Sequence, residues 1–336
     1  MPFKQVIGHR RLVALLARAV DRGSLPPSLI FAGPAGVGKR LAAVATAQLL
    51  NCTNRVGRSP DIDACGVCVA CTRIGRGVHS DVLTVEPGDS GSIKIDQVRD
   101  IIDRAGYRPF EGRCRVVIID GADALVPAAQ NALLKTLEEP PSLSIFILVT
   151  AQPDLLLPTV RSRCPRLRFG ALATDDIVAA LVDRGRSDQE ARAIAATADG
   201  SLQRALASVA GDVVAGRDVA QQVLVRAAAA DDPRRRIEGA KDLLAKTGAG
   251  GAGDREQLAV HLRSMSSLLR DAALLSTRAD VGALANPDLA PSLERLAQTY
   301  RGERGERAFL AVDRALAALD RNAGVKIVAD WLMLQL

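Results

Sequence analysis

Residues 33–40 read GPAGVGKR and match the phosphate-binding pattern G-x-x-x-x-G-K-[ST] at every defined position except the last. In such a loop, backbone N–H groups surround the phosphates, and a lysine, here Lys39, reaches the outer ones. The last position normally supplies a hydroxyl that ligates Mg²⁺, but Arg40 has no atom that ligates a cation. We therefore predict a phosphate-loop fold, whose tight turn uses Gly33, Gly36 and Gly38.

A second candidate for the same site is the apolar run VVIIDGAD, in which Asp120 follows four apolar residues. An acid at the end of a buried strand can hold Mg²⁺ through water, although it can also simply cap a loop. ATPases with a helical lid usually place Glu next, to orient the attacking water, and here that residue is Gly121. Thr150 ends the later run SIFILVT and could face a γ-phosphate. Because Arg40 and Gly121 both remove parts of one reaction, we predict no ATP hydrolysis, while passive binding of ATP or ADP stays open.

Four cysteines show the spacing of a metal site, C-x₁₂-C-x₂-C-x₂-C, at Cys52, Cys65, Cys68 and Cys71. Four thiolates at this spacing suit tetrahedral Zn²⁺, and an iron–sulfur cluster is the rival interpretation. We favour zinc because no Cys-Pro follows Cys71 at the ferredoxin spacing and the sequence has no second cysteine cluster. A closed four-thiolate site has no open coordination position, so its role would be to fold the surrounding insertion, at about residues 52–79.

The elements that must position these residues alternate along the first half of the chain. We predict strands at 28–33, 81–87, 115–125 and 144–153, and helices at 8–22, 40–50, 95–107 and 128–141. Such alternation is typical of a parallel sheet with helices on both faces.

After about residue 170 the pattern becomes helical and rich in Ala and Leu. Ser187 begins a capping-box pattern, and a flexible break is predicted at 247–254. The predicted domains are an α/β domain over 1–170, a small helical domain over 171–212 and a larger helical domain over 213–336.

Composition limits the possible classes of protein. Apolar residues make up 48% of 336 residues, which allows a large core, and the absence of any apolar stretch of 18 residues argues against a membrane span. The N-terminus lacks the apolar run of a signal peptide, so we expect a cytoplasmic protein. A net charge of +6 permits contact with nucleic acid without requiring it.

The segments CGVCVAC, QNALLKTLEEPP and RSRC, in this order around a phosphate loop, resemble the bacterial DNA polymerase III clamp-loader subunits of the gamma/tau and delta-prime type, which are AAA+ proteins. The resemblance implies an AAA+ domain, a helical lid and a collar that joins subunits into a hetero-pentamer. It also implies zinc at the four cysteines. The implied partners are gamma/tau and delta subunits, the sliding clamp and primer-template DNA.

The resemblance also assigns a role to Arg163. From the residues alone it is a surface arginine, but in this family the Arg of Ser-Arg-Cys enters the neighbouring subunit's ATP site as an arginine finger. Gln203 stands where ATPase members place a nucleotide-sensing Arg. Together with Arg40 and Gly121, this departure matches delta-prime, the catalytically silent stator. The alternative is a gamma/tau-like motor subunit with a degenerate metal shell. A nucleic-acid enzyme unrelated to clamp loading is poorly supported, because no nuclease or helicase constellation is present.

Overall fold

The computed structural model describes the chain at residues 2–58, 61–88, 90–208, 210–229, 232–244, 251–277, 284–321 and 323–336. The chain divides into two compact units. Unit 1 comprises Met1–Ala173 and Ser201–Gln203, and unit 2 comprises Thr174–Gly200 and Arg204–Leu336. Within the described ranges, no helix has the length and apolar character needed to cross a membrane.

Unit 1 is built on a sheet of five parallel strands. The strands are β1 (Ser28–Ala32), β2 (Val82–Val85), β3 (Arg115–Asp120), β4 (Ser144–Thr150) and β5 (Arg166–Arg168). Their order across the sheet is β2-β3-β4-β1-β5. The predicted parallel sheet is confirmed, and β1 to β4 lie within the predicted ranges because each is a short run dominated by apolar residues.

Six helices accompany this sheet: α1 (Arg10–Asp21), α2 (Lys39–Asn51), α3 (Val69–Gly75), α4 (Ile95–Ala105), α5 (Pro127–Glu138) and α6 (Pro158–Arg161). Successive residues of a strand point to opposite faces, so each strand contributes to two cores. Phe31 and Ile118 pack in the core that includes α1 and α2. Ile30 and Val117 pack in the core that includes α4 and α5. The predicted α/β layering, with apolar cores on both faces, is therefore confirmed.

Sequence analysis missed the edge strand β5. Its sequence is only Arg-Leu-Arg, so it offers neither an apolar run nor enough residues for a period of two. Ile30 aligns with Arg166 in the register of β1 and β5. The segment is a strand because it pairs with β1. This pairing joins segments far apart in sequence, so the local sequence of β5 does not predict it.

A buried carboxylate anchors the segment that precedes β3. Asp81 is fully buried and accepts hydrogen bonds from the N–H groups of Phe110, Glu111 and Gly112 and from the Arg115 guanidinium at 2.7 Å. Burial opposes its ionisation, but these donors outweigh burial and lower the pKa of Asp81 to about 2. Asp81 is therefore ionised in the folded protein at neutral pH.

Unit 2 is helical throughout its described part. Its helices are α7 (Thr174–Val182), α8 (Asp188–Thr197), most of α9 (Leu202–Ala207), α10 (Ala210–Ala229), α11 (Pro233–Leu243), α12 (Gly251–Ser276), α13 (Ala290–Thr299), α14 (Glu303–Asp320) and α15 (Val325–Gln335). The side chains of α10 to α15 share one apolar core, in which Leu262 and Val312 are fully buried. The predicted mostly helical second half is confirmed.

Two local predictions for unit 2 have different outcomes. The Ser187 capping box is confirmed, because its hydroxyl accepts from the Glu190 N–H and the Glu190 carboxylate accepts from the Ser187 N–H. The flexible break predicted at 247–254 is wrong over 251–254, which form the first turn of α12. Asp254 in that turn favours a helix start by its interaction with the helix dipole. The rest of the predicted break lies outside the described residues.

The division of the second half into a lid over 171–212 and a collar over 213–336 stays a prediction. Within unit 2, α8 packs against both α10 and α12.

Candidate nucleotide site and metal centre

The residues predicted for the nucleotide site meet at one edge of the sheet, where the parallel strands of unit 1 end. The register aligns Ala32, the last residue of β1, with Thr150, the last residue of β4. It also aligns Asp120 at the end of β3 with Val149. The phosphate loop starts directly after Ala32, so the loop, Asp120 and Thr150 lie side by side. The carboxyl edge of a parallel sheet is where α/β proteins bind ligands.

Two glycines give the phosphate loop its turn. Gly36 and Gly38 have φ angles of +76° and +99°, a region that residues with a side chain rarely adopt. A Cβ at Gly36 would lie 2.1 Å from Ser201 Oγ, so the close approach also requires glycine. The N–H group of Gln203 donates to the Gly36 carbonyl at 3.1 Å. The backbone of Gln203 therefore contacts the phosphate loop. Gln203 is the residue that the resemblance aligns with the nucleotide-sensing arginine of the ATPase members.

Lys39 is almost completely buried at the start of α2. Its ammonium group donates to the carbonyls of Gly33 at 2.7 Å and Pro34 at 2.6 Å. Burial lowers the pKa of Lys39, while the charges of Asp123 and Asp120 oppose the shift. The lysine is thus held inside the loop, within the field of two acids.

Arg40 points across the site to the end of β3. Its guanidinium lies 3.2 Å from Asp120 Oδ2 and forms a second ion pair with Glu86. This geometry places a fixed positive charge beside Asp120, the acid that would hold Mg²⁺ through water in a working phosphate-loop ATPase. Sequence analysis did not identify Glu86, because its place beside Arg40 depends on the pairing of β2 with β3.

The residues around Asp120 do not fit a magnesium ion. Mg²⁺ takes oxygen ligands in a near-octahedral arrangement, whereas a guanidinium offers only N–H donors and repels a cation. Burial raises the pKa of Asp120, and Glu86 adds to the shift, whereas Arg40 and Lys39 lower the pKa. The two basic side chains, together with the Gly121 N–H, therefore partly offset the effect of burial on the pKa of Asp120.

Gly121, in the position where an ATPase would place Glu, has a φ of +74°. A Cβ there would lie 3.2 Å from Cγ of Pro87. The backbone at this position is therefore suited to glycine, and a glutamate would be strained.

Thr150 uses its hydroxyl within the protein. The hydroxyl donates to Asp123 Oδ1 at 2.6 Å, and the same oxygen accepts the N–H of Ala151 at 3.0 Å. Thr150 is itself buried. Asp123 thus orients Thr150, a contact that sequence analysis did not anticipate and that no short motif signals.

The cysteine cluster is a separate site in unit 1. The Sγ atoms of Cys52, Cys65, Cys68 and Cys71 all lie within 4.8 Å of one another. A tetrahedral ion with Zn–S bonds of about 2.3 Å needs sulfurs about 3.8 Å apart, which this cluster can supply. The donor set therefore fits a structural metal ion with four thiolate ligands.

Backbone N–H groups point to three of the four sulfurs, although burial raises the pKa of Cys52 and of Cys71. The N–H groups of Cys65, Cys68 and Cys71 point to the sulfurs of Cys52, Cys65 and Cys68 at 3.3, 3.3 and 3.4 Å. Burial opposes ionisation of Cys68, but hydrogen bonds including that from Cys71 lower the pKa of Cys68 to about 6. Gln48 of α2 donates to the Cys71 carbonyl at 2.7 Å and so ties the cluster to the sheet domain.

Arg163 follows α6 and lies outside the phosphate site of its own chain. Its guanidinium donates to Glu138 Oε2 at 3.1 Å and to the Thr159 carbonyl at 3.0 Å. About a third of the side chain remains exposed, and Glu138 is more exposed still. Nearby Arg161 makes a similar surface pair with Asp154 at 2.7 Å.

Comparisons with known proteins agree with the geometry of unit 1. The family described as "DNA polymerase III, delta subunit" matches residues 8–173. The gamma/tau subunit of Mycobacterium tuberculosis is 37% identical over 170 residues, which are 51% of this chain and 29% of that protein. The tau subunit of Bacillus subtilis is 34% identical over 228 residues, which cover 64% of this chain and 39% of that protein.

The matched segments thus span well under half of these two relatives. Among solved structures, a gamma subunit-related protein of Thermotoga maritima aligns over 96% of this chain and 97% of that chain, at 16% identity and a TM-score of 0.43. The segment that matches the family, residues 8–173, contains the phosphate loop, the cysteine cluster and Arg163. Residues 8–173 of the chain are thus similar in sequence to the family described as "DNA polymerase III, delta subunit" and to gamma/tau subunits of DNA polymerase III.

Proposed function

We propose that the chain is a delta-prime-like stator of the DNA polymerase III clamp loader and helps to load the sliding clamp on primed DNA without hydrolysing ATP itself. The observation that carries this proposal is the ion pair of Arg40 with Asp120 at 3.2 Å. Phosphoryl transfer needs a metal on the phosphates and a residue that positions the water. Arg40 opposes the first, and Gly121 cannot supply the second. Passive binding of ATP or ADP remains compatible, because Lys39 and the loop backbone are kept.

Arg163 is the group that would act in a neighbouring subunit. It is partly exposed, and its ion pair with Glu138 is a surface contact that a stronger anion can replace. A γ-phosphate is such an anion, because a guanidinium binds phosphate oxygens in the same bidentate manner as a carboxylate. We therefore assign Arg163 the role of an arginine finger in trans.

The cysteine cluster would hold a structural Zn²⁺. Its four sulfurs leave no open coordination position, so the metal would fold the segment that follows α2 and take no part in phosphoryl transfer.

The partners follow from the same proposal. Gamma/tau and delta subunits would complete a hetero-pentamer, assembled through a collar at about residues 213–336, with a lid at about 171–212. The assembly would act on the sliding clamp and primer-template DNA in the cytoplasm.

A gamma/tau-like motor subunit is the second candidate. The relatives described above are gamma/tau and tau proteins, and Lys39 is retained. This candidate requires that Mg²⁺ bind beside the Arg40 guanidinium, without the hydroxyl ligand that Ser or Thr normally supplies at this position.

A reconstituted clamp loader separates the two candidates. Lys39→Ala in this chain should leave clamp loading within about twofold, since a stator does not turn over ATP, and a factor of two is about 0.4 kcal/mol. Replacement of the equivalent phosphate-loop lysine in the gamma/tau subunit is the positive control and should abolish loading. A comparable loss from Lys39→Ala, in a complex that still assembles, would favour the motor.

A further inference from the structure

We propose that a basic groove in unit 2 binds an acidic segment of a partner protein that carries a large apolar side chain. The groove lies where α14 packs against α15 and α15 against α11, and it encloses about 590 Å³. Its main lining residues are Arg236, Arg304, Arg307, Arg314, Trp331 and Leu334. The inference concerns unit 2 alone and does not depend on the proposed chemistry of unit 1.

Three of the four arginines that line the groove, all on α14, have no acidic partner among the described residues. None of its ten lining residues is acidic. Among the described residues, no carboxylate forms an ion pair with Arg304, Arg307 or Arg314, although arginines elsewhere, such as Arg217 and Arg226, do so. These three guanidinium groups form an anion-binding surface, because each can bind a carboxylate or phosphate through two N–H donors.

The arginines are arranged along one helix face. Arg304, Arg307 and Arg314 are three and seven residues apart on α14, a spacing that places them on the same side. Arg304 is also fixed by stacking on the Tyr300 ring, 5.4 Å from its centroid, and Arg307 donates to the Glu303 carbonyl. Two of the three guanidinium groups are thus held in place before any ligand arrives, which reduces the entropy lost on binding.

Apolar side chains lie directly beside these charges. Trp331, Leu310 and Leu334 line the groove and keep 36%, 44% and 44% of their surface exposed. Trp and Arg are the residue types that dominate binding energy at protein interfaces. A ligand that covers both parts needs carboxylates for the arginines and an apolar side chain to pack on Trp331.

The apolar lining favours a protein segment over single-stranded nucleic acid. Non-specific single-strand sites stack successive bases on several aromatic rings. This groove has a single aromatic lining residue, Trp331, and its other apolar neighbours are aliphatic and cannot stack bases. An acidic segment with a phenylalanine or leucine uses both the arginines and the aliphatic surface.

The position of the only tryptophan of the chain provides the assay. The full chain is titrated with a synthetic peptide of four aspartates around a phenylalanine–leucine pair, and Trp331 fluorescence is recorded. The same peptide with asparagine for aspartate, and a twelve-residue oligo-dT, are titrated in parallel. We expect a saturable fluorescence change with the acidic peptide alone, which weakens as salt is raised.

Two sets of variants distinguish binding in the groove from nonspecific attraction to the positive charge of the chain. Arg304→Gln/Arg307→Gln/Arg314→Gln should weaken peptide binding by about tenfold or more, the loss expected from removing charge-assisted hydrogen bonds. A control that removes the same charge from exposed positions outside the groove, Arg295→Gln/Arg301→Gln/Arg321→Gln, should bind within about twofold of the parent chain. Circular dichroism checks that both triple variants remain helical.

Four results would overturn the proposal. They are no response to the acidic peptide, an equal response to the asparagine peptide, tighter binding of oligo-dT, or equal losses in the two triple variants.

Discussion

Replacing Arg163 with alanine separates a finger that acts in trans from an ordinary surface arginine. Among the described residues, its one ion pair joins it to Glu138 across 3.1 Å, with 32% and 59% of the two side chains exposed. An exposed pair of this kind contributes about 0.2–1 kcal/mol to folding. Arg163→Ala should therefore lower the melting temperature of the isolated chain by less than about 4 °C, the shift that 1 kcal/mol gives in a domain of 150–250 residues.

The effect on the partner's ATP site should be far larger. An arginine finger supplies roughly 10³–10⁵ in rate, which is about 4–7 kcal/mol of transition-state stabilisation. In the reconstituted complex, the assay is single-turnover hydrolysis of ATP at the site that faces this chain, together with size-exclusion chromatography to confirm assembly. We expect assembly to survive and hydrolysis at that site to fall by at least about a hundredfold.

Arg161→Ala is the matched control. Arg161 lies two residues away and also makes a surface ion pair, with Asp154, which is more exposed than the pair of Arg163 with Glu138. Arg161→Ala should lower the melting temperature by a similarly small amount and leave ATP hydrolysis at the partner's site unchanged. Full hydrolysis with Arg163→Ala, or equal losses with both variants, would refute the finger assignment.

Three further predictions concern stability and metal content. Gly121→Glu should lower the unfolding free energy by roughly 1–2 kcal/mol in a denaturant titration, because Gly121 has a left-handed backbone, and should confer no ATP turnover; a variant of full stability that hydrolyses ATP contradicts this. Elemental analysis should find about one zinc per chain, lost in Cys68→Ser and kept in Cys114→Ser, a buried thiol outside the cluster; iron instead would contradict the assignment. Because the folded pKa of Asp81, about 2, lies below that of an ordinary aspartate, its contribution of roughly 2 kcal/mol to the free energy of unfolding should be complete above about pH 5 and be largely lost at pH 2; an Asp81→Asn chain with the same acid profile would show that another group is responsible.

The sheet and the residues at its edge could largely be predicted from sequence. The strands β1 to β4 are short apolar runs, and the loop after β1 carries a motif with a direct physical meaning. The four cysteines could be grouped because two of their gaps are fixed at two residues. Each of these signals is local, so a single sequence contains it.

The contacts that decide the chemistry of the phosphate site could not be predicted in this way. Arg40 could be recognised as unsuited to Mg²⁺, but its ion pairs with Asp120 and Glu86 depend on three segments far apart in sequence. The hydrogen bond from Thr150 to Asp123 likewise joins the end of β4 to the segment after β3. Such contacts follow from sheet order and register, which local patterns do not specify.

Steady-state ATP hydrolysis by the isolated chain in the presence of Mg²⁺ tests the central claim most directly. The parent chain is compared with Lys39→Ala, since any turnover at the phosphate loop must depend on this lysine. The proposed stator predicts the same background rate for both chains. Turnover by the parent chain that Lys39→Ala abolishes would contradict the claim that Arg40 and Gly121 have removed hydrolysis from this site.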